Sequence, residues 1–162
     1  MVVKLGIPQI RYEVESLTRM LLGETPVTVV LPEETVPDDK DMITVTEEPA
    51  ENGVLCRVRT LLGGKMQESV RLCADDSAQK EQAVCRIIYD QLTVLLGHSL
   101  PWGMLTGVRP VKLVRQMTEA GLTEAEITQK LTDYGVSEER LRLSLDTWHN
   151  QKEIVEGLAP DK

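Results

Sequence analysis

The residue pattern of this chain changes once along its length, and that change most restricts the fold. Up to about residue 97, short β-branched runs alternate with two stretches of helical apolar spacing. From residue 109 onward no strand pattern occurs, and the sequence predicts three short helices with glycines at their ends. The chain therefore predicts a mixed domain followed by a helical part, without a solenoid repeat.

The first part predicts the order β-α-β-β-β-β-α. Strand patterns occupy 2–7, 26–31, 42–46, 54–61 and 65–73. The first helical stripe contains Ile10, Val14, Leu17 and Leu21, and the second contains Val84, Ile88, Leu92 and Leu95. We expect an α+β fold with a mostly antiparallel sheet of about five strands, two covering helices and a helical extension.

The glycine pair Gly63-Gly64 joins the last two strands, and its loop length decides their register. A two-residue loop would place Cys56 opposite Arg71 and mix apolar and polar residues on both faces. A three-residue loop places Cys56 opposite Val70 and gives one face that is largely apolar. The pattern therefore predicts the three-residue loop, with Gly64 in the left-handed conformation.

Composition narrows the class of protein. Lys and Arg number 18 against 26 for Asp and Glu, so the net charge is −8. A general nucleic-acid binder shows the opposite balance, and no nucleic-acid partner is expected. The sequence has no apolar run of about 18 residues and no signal-peptide pattern at its start, so we predict a cytoplasmic protein without a membrane partner.

The three cysteines, Cys56, Cys73 and Cys85, are widely and irregularly spaced. An odd number at such spacing does not indicate a disulfide framework. With two histidines and no CxxC motif, the chain predicts no metal site of its own. The sequence thus assigns no cofactor to this chain.

The sequence contains acidic residues and histidines that could act in catalysis, but it does not indicate a second catalytic group beside any of them. Adjacent acids such as Glu47-Glu48 and Asp75-Asp76 lie in predicted loops or helix starts, where they form solvated faces or caps. His98 and His149 have no Ser or Cys partner that the sequence indicates. No catalytic residue is assigned, because a site needs convergent groups.

Residues 98–112 link the two parts and carry the most particular sequence. Arg109 and Lys112 stand at a predicted helix start, where free N–H groups favour an anion such as a carboxylate or phosphate. Alternatively, Arg109 caps sheet carbonyls or pairs with an acid. The residues expected to contact substrate or another domain are Trp102, Thr106, Gly107, Arg109 and Lys112.

The stretch Trp102-Gly103-Met104-Leu105-Thr106-Gly107-Val108-Arg109-Pro110-Val111-Lys112-Leu113 resembles the WGxLTGxRPxKL segment of the oxygen-independent coproporphyrinogen III dehydrogenase-like proteins of the HemZ type. The resemblance implies an α/β N-terminal region, a helical stretch and then a radical S-adenosylmethionine domain. There a CxxxCxxC motif holds a [4Fe–4S] cluster that binds S-adenosylmethionine. The implied reaction is oxidative decarboxylation of porphyrinogen propionates, although some relatives act in haem handling.

The resemblance implies that this chain is an N-terminal accessory part of a larger oxidoreductase of porphyrin and haem biosynthesis. The expected segments are an α/β domain (1–97), the linker (98–112) and a helical extension (113–162) that leads to the radical domain. This chain alone is expected to be inactive, and its expected partners are that domain and a porphyrinogen.

The alternative is a stand-alone protein-interaction or anion-binding module without catalysis. If the radical domain is missing from this chain, Leu145, Trp148 and Val155 are expected to be exposed on the helical part, with dimerisation or mobility of that part as the result.

Overall fold

The computed structural model describes residues 1–36, 41–105 and 110–157. It separates into two units, Met1–Ser99 and Leu100–Lys162. All strands of the described residues lie in the first unit, and the second unit is helical. Within the described residues, no helix is both long enough and apolar enough to cross a membrane.

One five-stranded sheet organises the first unit, in the spatial order β2-β1-β3-β4-β5. Its strands are β1 (Val2–Leu5), β2 (Thr28–Val30), β3 (Met42–Ala50), β4 (Gly53–Leu62) and β5 (Lys65–Cys73). The short strand β1 pairs in parallel with β2 and β3, whereas β3-β4 and β4-β5 are long antiparallel ladders. The predicted α+β class and mostly antiparallel five-stranded sheet are confirmed.

Two helices cover one face of this sheet: α1 (Arg11–Leu22), which follows a 3₁₀ turn, and α2 (Ser77–Leu96). Side chains alternate between the two faces of a strand, and most of those on the central strands that face the helices are buried. The strand residues buried on this face include Val3, Leu5, Ile43, Val45, Val54, Cys56 and Val58. The helices contribute the predicted stripes, including Val14, Leu17, Leu21, Val84, Ile88 and Leu92. Because aromatic residues are scarce, these aliphatic side chains supply most of the buried apolar area that stabilises the unit.

A buried polar contact ties α2 to the sheet. The hydroxyl of Thr60 on β4 donates to Oε1 of Gln91 at 2.7 Å, and Nε2 of Gln91 donates to the carbonyl of Val58 at 3.1 Å. Both Thr60 and Gln91 are buried. Because buried polar groups are costly without partners, these two hydrogen bonds fix the position of α2 over β4.

The predicted register of the β4-β5 hairpin is wrong. Cys56 lies opposite Arg71 rather than Val70, and a two-residue turn connects Leu62 to Lys65. Gly63 and Gly64 have φ angles of 58° and 78°, and two positive φ angles suit the tight turn that matches strand twist. The predicted register assumed that one face of β5 is buried. β5 is instead an edge strand, and most of its residues are exposed on both faces.

The second unit contains α3 (Pro110–Glu119), α4 (Glu124–Asp133) and α5 (Glu138–Gly157). Its core consists of Val114, Ile127, Leu131, Val136 and Leu141. A capping box stands at the start of α4, with Thr123 and Glu126 each bonded to the other's backbone N–H.

The expected exposure of Leu145 and Trp148 is found only in part. Both side chains are partly buried and pack against the core of the second unit. The side chain of Val155 lies outside the described residues. The exposed large apolar residues of α5 are instead Leu143 and Ile154.

Candidate functional site

The candidate site begins with a turn whose backbone is built into the second unit. The amide of Gly103 donates to the carbonyl of Leu100 at 3.0 Å, and the amide of Leu105 donates to that of Trp102 at 3.2 Å. The amide of Met104 reaches across to the carbonyl of Tyr134 at 2.7 Å. The turn is therefore fastened to the α4-α5 connection.

Glycine is required at position 103 for two reasons. Its φ angle is +58°, which side-chain-bearing residues rarely adopt. A β-carbon there would also overlap the carbonyl oxygen of Tyr134 and the backbone of Gly135. This glycine of the motif thus serves close backbone packing, not a ligand.

Trp102 serves the same connection through its side chain. The ring is partly buried against the core of the second unit, and the guanidinium carbon of Arg140 lies 5.3 Å from the ring centroid. A cation–π contact of this kind contributes about 0.5–1 kcal/mol at an exposed site. Trp102 therefore anchors the turn between α5 and the core, and Arg140 is a partner that sequence reasoning did not identify.

The remaining predicted site residues divide between described and undescribed positions. Thr106, Gly107 and Arg109 lie outside the described residues. Lys112 lies in the first turn of α3 and is exposed. On the same helix Val114 is fully buried, so α3 faces the core on one side and presents Lys112 on the other.

Arg115, the third cation of the motif region, already has a partner. Its Nε donates to Oε1 of Glu119 at 2.8 Å, one helical turn away. This hydrogen bond and the charge of Glu119 raise the pKa of the Arg115 guanidinium above its usual value. The cationic character of the helix start accordingly rests on Lys112 among the described residues of this segment.

A shallow groove of ≈ 580 Å³ runs between α4 and α5. Carboxylates line it, including Glu124, Glu138 and Asp146, together with Arg142 and His149. Nε2 of His149 lies 3.5 Å from Oε2 of Glu124, and both side chains are more than half exposed. A contact between two such exposed side chains contributes little to stability.

The cysteines do not provide a cluster site. The sulfurs of Cys56 and Cys73 are 3.6 Å apart on neighbouring strands, whereas Cys85 lies on α2. Burial, followed by the contact with Cys73, raises the pKa of Cys56 to about 12. Burial, followed by the charges of Glu81 and Glu13, raises the pKa of Cys85 to about 12. The three cysteines lack the CxxxCxxC spacing, and no group of three potential metal ligands occurs among the described residues, so the residues present do not fit a [4Fe–4S] cluster.

Two groups of acids have structural partners. Oδ1 of Asp76 accepts from the amide of Gln79 at 2.9 Å and caps α2, as predicted for this acidic pair. Nζ of Lys80 lies 2.7 Å from Oε2 of Glu47 and 2.8 Å from Oδ1 of Asp75. The two carboxylates raise the pKa of Lys80, and this ion triplet joins α2 to β3.

A second acidic feature lies between α1 and α2 and was not identified from the sequence. Oε2 of Glu13 is buried and has no hydrogen-bond partner among the described residues. Burial, followed by the charge of Glu13, raises the pKa of the Glu81 carboxyl. No group of three potential metal ligands occurs here or elsewhere in the described ranges. The proximity of the two carboxyls therefore disfavours the ionised form of Glu81.

Comparison with known proteins found no matching family model, no matching curated protein and no matching solved structure.

Proposed function

We propose that this chain is the non-catalytic N-terminal part of a cytoplasmic radical S-adenosylmethionine oxidoreductase similar to the oxygen-independent coproporphyrinogen III dehydrogenases. The observation that carries the proposal is the run of residues 102–113, which follows WGxLTGxRPxKL at each defined position. That run begins at the start of the helical unit, directly after the sheet unit.

In this proposal the motif has two parts. Trp102 and Gly103 face inward and hold the turn against the α4-α5 connection. Lys112 is exposed in the first turn of α3, where the helix dipole favours anions. In the proposed function, Arg109 and Lys112 contact the propionate carboxylates of a porphyrinogen or acidic groups of the catalytic domain. Thr106 and Gly107 lie between the two parts of the motif and belong to the same proposed contact surface.

The catalytic chemistry is assigned to another part of the protein. The proposed enzyme requires a CxxxCxxC motif, and Cys56, Cys73 and Cys85 have neither this spacing nor a common location. The proposed cofactors, a [4Fe–4S] cluster and S-adenosylmethionine, would therefore bind outside this chain. This chain contributes binding and positioning only.

The first experiment measures binding of coproporphyrin III, which carries four propionates, by titration calorimetry. Lys112→Ala and Arg109→Ala should each weaken binding about tenfold, because a charge-assisted hydrogen bond contributes about 1.5–3 kcal/mol. Lys130→Ala is the matched control, since Lys130 is an exposed lysine on a neighbouring helix. Binding that all three variants leave unchanged would refute a role for the motif cations.

The second experiment tests the parent protein directly by reading the gene downstream of the Lys162 codon. A continuing reading frame with CxxxCxxC supports the proposal. A stop codon, or a continuation without those cysteines, contradicts it.

A stand-alone interaction module is the second candidate, favoured by the sheet face opposite α1 and α2. On this face β5 presents Met66, Val70 and Leu72, with exposed fractions of 61%, 43% and 52%. A cluster of exposed apolar residues is typical of a contact surface. This candidate predicts no difference in porphyrin binding between Lys112→Ala and Lys130→Ala, and a protein partner for the sheet.

A further inference from the structure

The outer edge of β5 presents unpaired backbone groups. β5 is a terminal strand of the sheet, and no other strand of the described residues pairs with its outer side. The two-residue turn makes Leu62 and Lys65 a hydrogen-bonded pair, and such pairs alternate along an antiparallel ladder. The residues that direct N–H and C=O outward are therefore Met66, Glu68, Val70 and Leu72.

This edge lacks three of the usual features that prevent strand addition, because it is long, regular and free of proline; its helix-facing charges are Lys65 and Arg71. Natural edge strands are protected by shortness, proline, bulges or inward-pointing charges. β5 has nine residues without proline, and its register with β4 is regular from Val54 to Leu62. The opposite edge, β2, has three residues and offers much less backbone.

The charges on β5 do not prevent pairing either. Glu68, at an outward-directed backbone position, is bonded within its own sheet: Arg57 Nη1 lies 2.6 Å from Oε1, and Arg59 Nε lies 2.8 Å from Oε2. On the helix-facing side, Ser69 and Arg71 are exposed. The α2 helix therefore leaves the outer side of β5 accessible.

The sequence of β5 is complementary to itself in one antiparallel register. With a two-fold axis through Ser69, all nine residues pair, because Ser69 is the central residue of Lys65–Cys73. Met66 then lies opposite Leu72 of the second copy, and Val70 lies opposite Glu68. These contacts join exposed apolar side chains on the uncovered face and place no like charges opposite each other.

The neighbouring registers are less favourable. An axis through Glu68 would place two carboxylates directly opposite each other, which is destabilising. An axis through Val70 would pair Met66 with Ala74, beyond the end of the strand, and would leave Lys65 and Met66 without strand partners. Backbone pairing and side-chain complementarity thus favour the same axis.

We propose that two copies of this chain associate through β5, antiparallel about Ser69, to form one continuous sheet. Each pair of outward-directed residues would exchange two backbone hydrogen bonds across the interface. The apolar residues of the two β5 strands would form one strip on the uncovered face. This interface differs from the dimer contact expected on α5, and it does not rest on the proposed function.

The first test uses charges to read the register. Sedimentation velocity over a range of concentrations should show a dimer for the unmodified chain. Met66→Lys with Leu72→Lys should abolish the dimer, because the two new lysines lie opposite each other across the axis. Met66→Lys with Leu72→Glu should restore it, because opposite charges then face each other at the same positions.

The second test blocks the edge without changing charge. Val70→Pro removes an N–H that points outward, so it should abolish the dimer and leave the β4-β5 ladder intact. Val70→Thr is the matched control and should remain dimeric. If the proline variant fails to fold, as judged by circular dichroism, the two charge variants still decide the question.

The third measurement identifies the axis residue. In a Cys73→Ser background, Ser69→Cys should form an intermolecular disulfide on mild oxidation, because directly opposite residues of a non-hydrogen-bonded pair approach to about 4.5 Å between α-carbons. Gln67→Cys, two residues away on the same side, should not.

Three results would overturn the proposal. One is an unmodified chain that stays monomeric at all concentrations. Another is a dimer that survives both Val70→Pro and the lysine pair, since the contact would then lie elsewhere, for example on α5. The last is equal behaviour of the Lys/Lys and Lys/Glu variants, which would exclude this register.

Discussion

The amide of Met104 donates to the carbonyl oxygen of Tyr134 at 2.7 Å, and this contact joins the motif turn to the start of the α4-α5 connection. The adjacent Pro101 carbonyl accepts from the amide of Ser137 at 3.0 Å. The motif therefore has a structural function in the helical unit that is independent of any ligand.

Gly103→Ala should destabilise the helical unit more than Gly121→Ala does. Both glycines have positive φ, but a β-carbon at 103 meets the backbone of Tyr134 and Gly135, whereas one at 121 meets nothing within 4 Å. The strained conformation costs about 1–2 kcal/mol in each variant, and overlap should add about 1–3 kcal/mol at 103. Urea unfolding followed by tryptophan fluorescence measures this unit specifically, since Trp102 and Trp148 both belong to it. Equal losses would contradict the close packing at 103.

Thr60→Val and Gln91→Leu should each destabilise the sheet unit by about 1–3 kcal/mol, because each leaves a buried polar group without its partner. The double variant should lose less than the sum, since both ends of the contact are then apolar. Urea unfolding followed by far-ultraviolet circular dichroism gives the free energies. Strict additivity would show that the two side chains do not interact.

The native thiols should react in a set order. At pH 8, Cys73 should react first with a thiol reagent, because its side chain is partly exposed while Cys56 and Cys85 are buried. The latter two have pKa values raised from 9.0 to about 12 by burial, so they remain protonated in the folded chain. Mass spectrometry of peptides after timed labelling identifies the modified residue. Early labelling of Cys85 would contradict this order.

The same raised pKa values predict a loss of stability in alkali. Below about pH 9 these thiols are protonated in both the folded and the unfolded chain, so their contribution to the free energy of unfolding is fully present. Between about pH 9 and 12 the thiols of the unfolded chain ionise first, and the free energy of unfolding falls. Each thiol contributes at most about 1.4 kcal/mol per pH unit to this fall. Cys85→Ala should reduce the slope of unfolding free energy against pH, as measured by urea unfolding at several pH values.

Glu81→Gln should raise the thermal midpoint at pH 7. Burial and the nearby Glu13 raise the pKa of Glu81, so the folded state favours the protonated carboxyl. Its contribution to stability is present at low pH and is lost as the pH rises through the raised pKa. The variant should therefore show a smaller decrease in stability above about pH 4.5 than the unmodified chain. Glu51→Gln, in an exposed turn, removes the same charge at a position without burial and is the control for the thermal midpoint.

Local patterns predicted most of the elements for direct physical reasons. The apolar spacing of Val14, Leu17 and Leu21 produces a helix because one face must be buried. The Thr123 and Glu126 pair starts α4 because it satisfies free backbone donors nearby in the chain. Gly97 ends α2 because glycine adopts the left-handed conformation readily. These interactions involve residues close in sequence, and their spacing is visible there.

Features that depend on neighbours far along the chain were decided by the tertiary structure. The hairpin register followed the two-glycine turn rather than the apolar pattern, because β5 is an edge strand and neither of its faces is fully covered. Packing between separate elements also produces three contacts that the sequence does not show. These are the contact of Arg140 with Trp102, the proximity of the Glu13 and Glu81 carboxyls, and the 3.6 Å distance between the sulfurs of Cys56 and Cys73.

The amino-acid sequence by itself determined the α+β class, the order of elements and the motif that motivates the proposed function. Only the tertiary structure decided which motif residues pack inward and which strand edge is left open. The physical reason is that backbone propensities, caps and turns act over a few residues. Burial and strand order instead depend on which distant segments exclude water together.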